Sequence, residues 1–563
     1  MGQEVVQAAD EVTADPVGGA RDPKQPATGD EGFIHHTAVM SIGTALSRVT
    51  GFLRLAVAAA MLGQGFLADT YNAANTTPNI VYELVLGGIL TSIFIPVFVE
   101  WLQNHGEEEA FELARRVLTL ALVALVGIGV LGAVFAGPII RLYLVDSPAA
   151  NKADQVALGV FFLRWFMPQV VFYGVGAVAV GLLNARRRFA IGMFAPVLNN
   201  IVVILTLGVY GWMRHGNPAS IAGITAAQKL VLALGTTLGV VAMTLALWPS
   251  LRAIGFRWRW RWDLQHPAVR RLGKLALWVV VYVVANQAAY LIIIILGLGL
   301  GSGNFTTYQY AFVLFQLPYA IFGVSIFTAL VPGMSARWAA NDREGVKVLL
   351  SRGLRTTAVI LLPAAAGYLA LAVPIAIVVF RRGQCSLACA TLDGRTLQTF
   401  SLGLVFFAMF QLLSRAFYAM QDTRTPALIN IAAASVNIGA DVLFTTRFDW
   451  GVQGLALGHA ISYIFSTAAC LVILHGRLSG LDGGRIGRTL TRVLPLTALT
   501  GVVAWASTHL LGREIGVATF GQRLAGLGAG IAAGLLVFLG GSLILQIEEA
   551  DELKNVVLRR LGR

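Results

Sequence analysis

The segment SRVTGFLRLAVAAAMLGQGFLADTYNAANTTPNIVYELVLGGILTSIFIPVF (47–98) decides the fold. It is apolar enough for two membrane-crossing helices, yet it carries Arg48, Arg54, Asp69 and Glu83, with Asn72, Asn75, Asn79, Pro78 and Pro96. A charge in hydrocarbon costs roughly 3 kcal/mol or more, so such groups face a protein interior or a water-filled cavity. The segment therefore predicts a polytopic helical protein with a polar cavity between its helices.

The rest of the chain agrees. Of 563 residues, 56% are hydrophobic and 13% charged, and the mean hydropathy is +0.72, values that no soluble domain of this size tolerates on its surface. A bilayer core of roughly 30 Å takes about 20 apolar residues of helix. Such stretches recur at about 36–63, 68–102, 114–145, 156–185, 189–213, 219–250, 267–299, 304–338, 345–380, 395–421, 425–446, 451–475, 486–511 and 518–547. The short alternating segments of a membrane β-barrel are missing. The expected fold is all-α, with about fourteen transmembrane helices.

Residues 1–33 hold seven acidic and two basic residues and no apolar periodicity, which predicts a disordered tail. The formal charge of +13 sits mainly in alternate short loops, at Arg186 to Arg188, Arg252 to Lys274, Arg337 to Arg355 and Arg477 to Arg492. That asymmetry places both termini in the cytoplasm and makes the span count even. The run FRWRWRWDL (256–264) alternates Arg and Trp between two spans. An interfacial strand or helix, with Trp at the headgroups and Arg at phosphates, explains it better than a nucleic-acid surface does. No nucleic-acid partner is expected.

An internal repeat is visible. A shift of 236 residues aligns Gly87 with Gly323, Ser92 with Thr328 and Pro96 with Pro332, while NARRRF…PVLN (184–199) echoes YAMQDTRTPALIN (418–430). Copies six spans apart share one orientation, which predicts two six-helix lobes in a parallel repeat with a substrate site between them. The expected division is a tail 1–33, lobes 34–255 and 256–480, a final helix pair 481–550, and a basic tail 551–563.

No nucleotide-binding, nucleophile or metal-ligand motif is present, so an enzyme is not expected and no cofactor is implied. Arg48 and Arg54 lie about 240° apart round a helix, with Gly51 between them to loosen or bend it. Two cavity-facing guanidinium groups suit a pyrophosphate or carboxylate; the other reading of Arg48 is a side chain snorkelling to the interface. Asp69 reads either as a first-turn helix acid or as a site residue. Pro78 is expected to break its helix and open backbone carbonyls to the cavity, with Asn75, Asn79 and Glu83 nearby and Glu83 pairing with Arg48 or Arg54. Asn437 and Asp441, spaced i and i+4, could bind a monovalent cation or proton, with Asn286 as a further oxygen ligand. A plain Arg415–Asp441 pair is the alternative. Cys385 and Cys389 share a loop where a disulfide forms if the loop is outside; a metal pair is the other reading.

These residues resemble a known family. SRVTGFLR (47–54), G-x-G-x-x-x-D (63–69), ANTTPNI (74–80) and IFIPVF (93–98) are similar to the opening signature of the MurJ (MviN) lipid II flippases, within the multidrug/oligosaccharidyl-lipid/polysaccharide exporter superfamily. FQLPYAIFGVSIFTALVPGMS (315–335) and FYAMQDTRTPALIN (417–430) resemble later parts of that family. The resemblance implies a bacterial inner-membrane protein that moves lipid II, or a similar polyprenyl-pyrophosphate glycolipid, between leaflets by alternating access. It implies functional roles for Arg48, Arg54 and Asp69, a lipid-tail groove in the last two helices, and cell-wall synthesis or division proteins as partners. Where many members carry further arginines, this chain has Tyr82 and Glu83 in helix two and Phe312 and Val313 in helix eight. A less basic cavity follows, and export of another polyprenyl-linked glycan or of a drug is the alternative function.

Overall fold

The computed structural model describes residues 30–83, 95–186 and 188–550, with side chains from Ile42 onward except at 95–96, 271, 273–282 and 284–285. The expected basic tail 551–563, most of the tail 1–33, and the repeat positions Gly87 and Ser92 lie outside the described residues. Among the described residues twenty α-helices follow in order. The first half holds α1 (Asp30–Leu62), α2 (Phe66–Glu83), α3 (Ile95–His105), α4 (Glu107–Val134), α5 (Ala136–Tyr143), α6 (Lys152–Phe166), α7 (Gln169–Ala185), α8 (Ala190–Met213), α9 (Ala226–Leu245) and α10 (Trp248–Ala253). The second holds α11 (Pro267–Gly299), α12 (Asn304–Pro318), α13 (Val324–Ala339), α14 (Arg343–Phe380), α15 (Leu387–Ser401), α16 (Leu404–Ala419), α17 (Arg424–Val442), α18 (Gly451–Arg477), α19 (Gly483–Ile515) and α20 (Phe520–Ile544). α1 starts at Asp30, inside the stretch expected to be disordered.

Among the described residues eleven helices or helix pairs are long and apolar enough to cross a membrane, and α15 with α16, bent by 48°, makes a twelfth. Of the two other expected spans, 68–102 runs through residues outside the described set, and 267–299 is the continuous helix α11, several of whose side chains are not described. The chain is an all-helical, multi-pass membrane protein. Its halves keep one spacing: helices begin at Glu107 and Arg343, Lys152 and Leu387, Gln169 and Leu404, and Ala190 and Arg424. These offsets (343 less 107, 387 less 152, 404 less 169, 424 less 190) are 236, 235, 235 and 234 residues. Each half has its own core. Tyr71 meets Phe162 and Phe166 edge-on in the first, and Phe315 packs between Phe400 and Phe407 in the second.

Pro78 does not break α2, which runs through it to Glu83. Proline costs the ladder one N–H bond, and side chains occupy carbonyls on the same helix: the Thr76 hydroxyl donates to the Asn72 carbonyl and the Asn79 amide to that of Asn75. The Arg/Trp run 256–263 is an irregular strap, neither the helix nor the strand that was expected. Arg115 donates to the Arg257 carbonyl (2.9 Å), Arg261 pairs with Glu112 (3.1 Å) and Arg116 with Asp263 (3.3 Å), while Trp258, Trp260 and Trp262 face outward.

At the same end, Asp422 ties the α16–α17 turn to α18 through Arg477 (2.5 Å). Partial burial pushes its carboxyl up, but the Thr425 hydroxyl and amide and the Arg477 guanidinium outweigh this and hold it at about 2. The tie is complete above the ordinary value of 3.8 and is lost as pH falls through about 2.

At the opposite end three glycine turns bring the halves together. Gly63, Gly303 and Gly383 all have positive φ. A Cβ on Gly303 would lie 2.6 Å from the Gln64 carbonyl oxygen, and one on Gly383 would lie 2.2 Å from that of Ala60. The Gln384 amide donates to the Ala60 carbonyl (2.9 Å), and its side-chain oxygen accepts from the Ala219 amide (3.0 Å). A disulfide joins the adjacent Cys385 to Cys389, and Cys470 is buried and free. Gly303→Ala should strain this closure by about 1–3 kcal/mol, lowering the apparent unfolding temperature of the purified protein, read by tryptophan fluorescence, by several degrees.

Candidate functional site

The candidate site lies between the halves and is built mainly from α1, α2, α8 and α12. Arg48 and Arg54 both line one opening of about 380 Å³, with Ser47, Gly51, Pro196 and Gln316. They meet without a break in α1. Six residues are 120° apart by the short way round, and Gly51 lies midway, so the missing side chain leaves both guanidinium groups free to flank one space. Among the described residues neither arginine has a carboxylate partner, and the expected pairing with Glu83 is not made: Glu83 is exposed and lines neither chamber.

Arg54 also reaches a deeper chamber of about 260 Å³. Amides and phenols dominate its wall, from Asn72, Asn75, Asn79, Gln169, Asn199 and Gln309 with Tyr71, Tyr173, Tyr290, Tyr308 and Tyr310. Asn75 Oδ1, Gln169 Oε1, Asn199 Oδ1 and the Tyr310 hydroxyl have no protein partner. Buried polar atoms left this way are available to water or a polar ligand. The expected site residues Asn75 and Asn79 thus join Arg54, and the sequence reading missed the contributions of Gln169, Asn199 and Gln309. Single amides within apolar helices were the available signal.

Asp69 is elsewhere. It begins α2, as expected of a first-turn acid, but its carboxylate crosses to the other half and caps α12. One oxygen accepts from the Gly303 amide (2.6 Å), the other from the Thr306 amide (2.9 Å) and hydroxyl (2.7 Å). A fully buried carboxylate is tolerable with such donors, and the helix dipole favours it there. The Asn72 amide donates to the Thr306 hydroxyl, that of Gln309 to the Thr76 hydroxyl, and that of Gln64 to both oxygens of Asp393 in α15. Gln64 also accepts from the Thr307 hydroxyl (3.0 Å). These bonds roof the amide chamber and close that end. Asp393 was missed because the expected span begins at 395.

In the second half, Asn437 donates to Asp441 (3.0 Å), whose other oxygen is buried without a partner. Asn437 lines a cavity of about 140 Å³ with Asn286, Asn430, His459, Ser462 and Ser466, and Asn430 donates to Asn286 (2.7 Å). The expected Asn286, Asn437 and Asp441 are therefore brought to one region. Arg415 is not: its guanidinium lies over the Phe327 ring, 5.6 Å from the centroid, so the Arg415–Asp441 pair is not formed.

Two helical halves around a polar chamber, open at one end and closed at the other, define an alternating-access type of membrane transporter. Solved structures share the fold. "Lipid II flippase MurJ, inward closed conformation" matches with a TM-score of 0.72 at 21% identity, over 90% of this chain and 98% of that one. An inward-facing multidrug resistance MATE transporter of the MOP superfamily gives 0.61 at 16% identity, over 77% and 96%. The family described as lipid II flippase MurJ matches residues 58–526, and the chain belongs to it. Curated relatives include a probable lipid II flippase MurJ of Vibrio cholerae, 26% identical over 514 residues (89% of this chain, 94% of the relative). One from Haemophilus influenzae is 28% identical over 436 residues (74% and 82%).

Removing the cap tests the closure. Asp69→Ala should raise the rate at which a membrane-impermeant maleimide labels Thr307→Cys, a buried position in the closed end, by about tenfold, the effect of losing roughly 1.4 kcal/mol of closure.

Proposed function

We propose that the protein moves lipid II, the undecaprenyl-pyrophosphate-linked peptidoglycan precursor, from the inner to the outer leaflet of the bacterial cytoplasmic membrane. The observation that carries the reading is the pair Arg48 and Arg54, without carboxylate partners, at the threshold of an amide-lined chamber. Guanidinium forks suit the pyrophosphate, and the amides and phenols suit the hydroxyl and peptide groups of the headgroup. With Tyr82 and Glu83 in α2 and Phe312 and Val313 in α12 where further arginines were expected, those two are left to hold the phosphates. The positive-inside pattern puts the open end and both termini in the cytoplasm and the closed end outside.

In this reading the lobes are 34–255 and 256–480, and they rock about the site while the Asp69 cap breaks and re-forms. The pair 481–550 guides the lipid tail: α14, α19 and α20 enclose an apolar groove of about 700 Å³ with Pro363, Thr500, Ala504, Gly530 and Phe538 in its wall. Asp441, with one oxygen held by Asn437 and the other buried without a partner, is the point at which a monovalent cation or proton couples to the cycle.

Arg48→Ala and Arg54→Ala should each lower outer-leaflet lipid II by about tenfold or more, the loss of one charge-assisted bond. The measurement is a leaflet-accessibility assay in cells whose only copy is the variant. Wild-type levels in both variants would remove the arginines from the site, and normal wall synthesis on depletion of the protein would favour another polyprenyl-linked cargo. Asp441→Asn should abolish the dependence of transport on an imposed ion gradient; an unchanged dependence removes Asp441 from coupling.

A further inference from the structure

The amides of the central chamber are locked in one orientation, and the lock decides which chemical groups the chamber accepts. Gln169 donates to the Thr237 hydroxyl (3.1 Å), which spends its own hydrogen on the Trp165 carbonyl (2.8 Å). Gln309 donates to the Tyr290 hydroxyl (3.4 Å) and to the Thr76 hydroxyl (3.1 Å), and Thr76 in turn donates to the Asn72 carbonyl (2.8 Å). Asn79 donates to the backbone carbonyl of Asn75 (2.8 Å), which can only accept. A hydroxyl has one hydrogen and a carbonyl none, so turning any of these amides over would cost at least one bond. The Tyr71 phenol is fixed in the same way: Thr236 donates to the Leu232 carbonyl (2.7 Å) and so accepts from Tyr71 (2.7 Å).

The valences left over are therefore of one kind. The side-chain oxygens of Gln169, Gln309 and Asn79 receive no bond from the described residues. All three residues line the chamber, and among the described residues Arg54 is the one charged group in its wall. Sugar hydroxyls and peptide amides can donate to such oxygens. A carboxylate is acceptor-only, and beside them it would be desolvated with no donor in return. Phenols with a free hydrogen serve both kinds of group and do not discriminate. We propose that the chamber selects a headgroup whose peptide carboxyl groups are carried as carboxamides, and rejects the same headgroup with free carboxylates. Each carboxamide offers two N–H donors to the amide oxygens, while the pyrophosphate stays with the arginines at the mouth. The proposal rests on the reading that the cargo is lipid II or a similar lipid-linked glycopeptide, and it names the chemical form of that cargo which the chamber takes.

The full-length protein in detergent is titrated at neutral pH with two preparations of lipid II that differ only in the peptide, one with its carboxyl groups as carboxamides and one with free acids, and the dissociation constants are read by thermophoresis. The carboxamide form should bind about tenfold more tightly or better, the effect of one desolvated acceptor left unpaired. Asn79→Lys puts a cation on the chamber wall without touching a bond between the halves. It should remove or reverse the preference, because an ammonium offers donors to a carboxylate. Gln169→Lys makes the same change from α7 and serves where the first variant does not fold. Equal affinities in the wild-type protein, or tighter binding of the free acid, overturn the proposal and leave the cargo reading standing. A preference that survives unchanged in the lysine variants places the discrimination outside the chamber and also overturns it. Binding of neither form removes the cargo reading itself, and this proposal with it.

Discussion

A carboxylate from one half of the molecule caps a helix of the other, and the closed end is organised round that bond. Asp69 leaves α2 and supplies acceptors for the Gly303 and Thr306 donors that α12 cannot satisfy within itself. The exchange is mutual: an unpaired helix end and a desolvated acid are both costly alone, and each satisfies the other. Because the partners belong to different halves, the bond holds only while the halves are together at that end. Gln64, Asp393, Gln384 and the three glycine turns sit round it and share its dependence on contact between the halves.

The polar chamber follows from the same constraint. Asn72 and Thr76 of α2 are tied to Thr306 and Gln309 of α12, so the roof over the chamber is made of bonds that also join the halves. Opening the far end would dismantle the roof, and a bound headgroup would gain an exit there. The arginines lie nearer the other end, where α1 meets α8 and α12. Charge at the mouth and neutral hydrogen-bonding groups within is an arrangement suited to a ligand with an anionic neck and a head rich in hydroxyl and amide groups.

Much of this was legible in the chain. Apolar length located the spans, the spacing of paired motifs located the repeat, and the positions of Arg48 and Arg54 in helix one marked the cavity. The errors share a cause. A sequence reveals that a charge lies in a membrane helix but not which way a side chain turns or which helix it reaches. Asp69 does stand in the first turn of its own helix, as one reading had it, but its carboxylate caps a helix more than two hundred residues away; Glu83 does not meet the arginines, and the Arg415–Asp441 alternative is not the one formed. Gly51 was expected to bend α1; its role is to be empty between two long side chains. The amides Gln169, Asn199 and Gln309 are unremarkable alone and acquire meaning only when three helices bring them to one wall.

The account stands on closure between the halves being made and broken in each cycle. Gln64 and Thr307 are hydrogen-bonded across the closed end (3.0 Å), so cysteines at the two positions can be oxidised to lock it. With the native Cys385–Cys389 pair present in a control lacking the new cysteines, lipid II export should stop on oxidation in the Gln64→Cys/Thr307→Cys protein, resume on reduction, and be unaffected in the control. Full export by the cross-linked protein would contradict it.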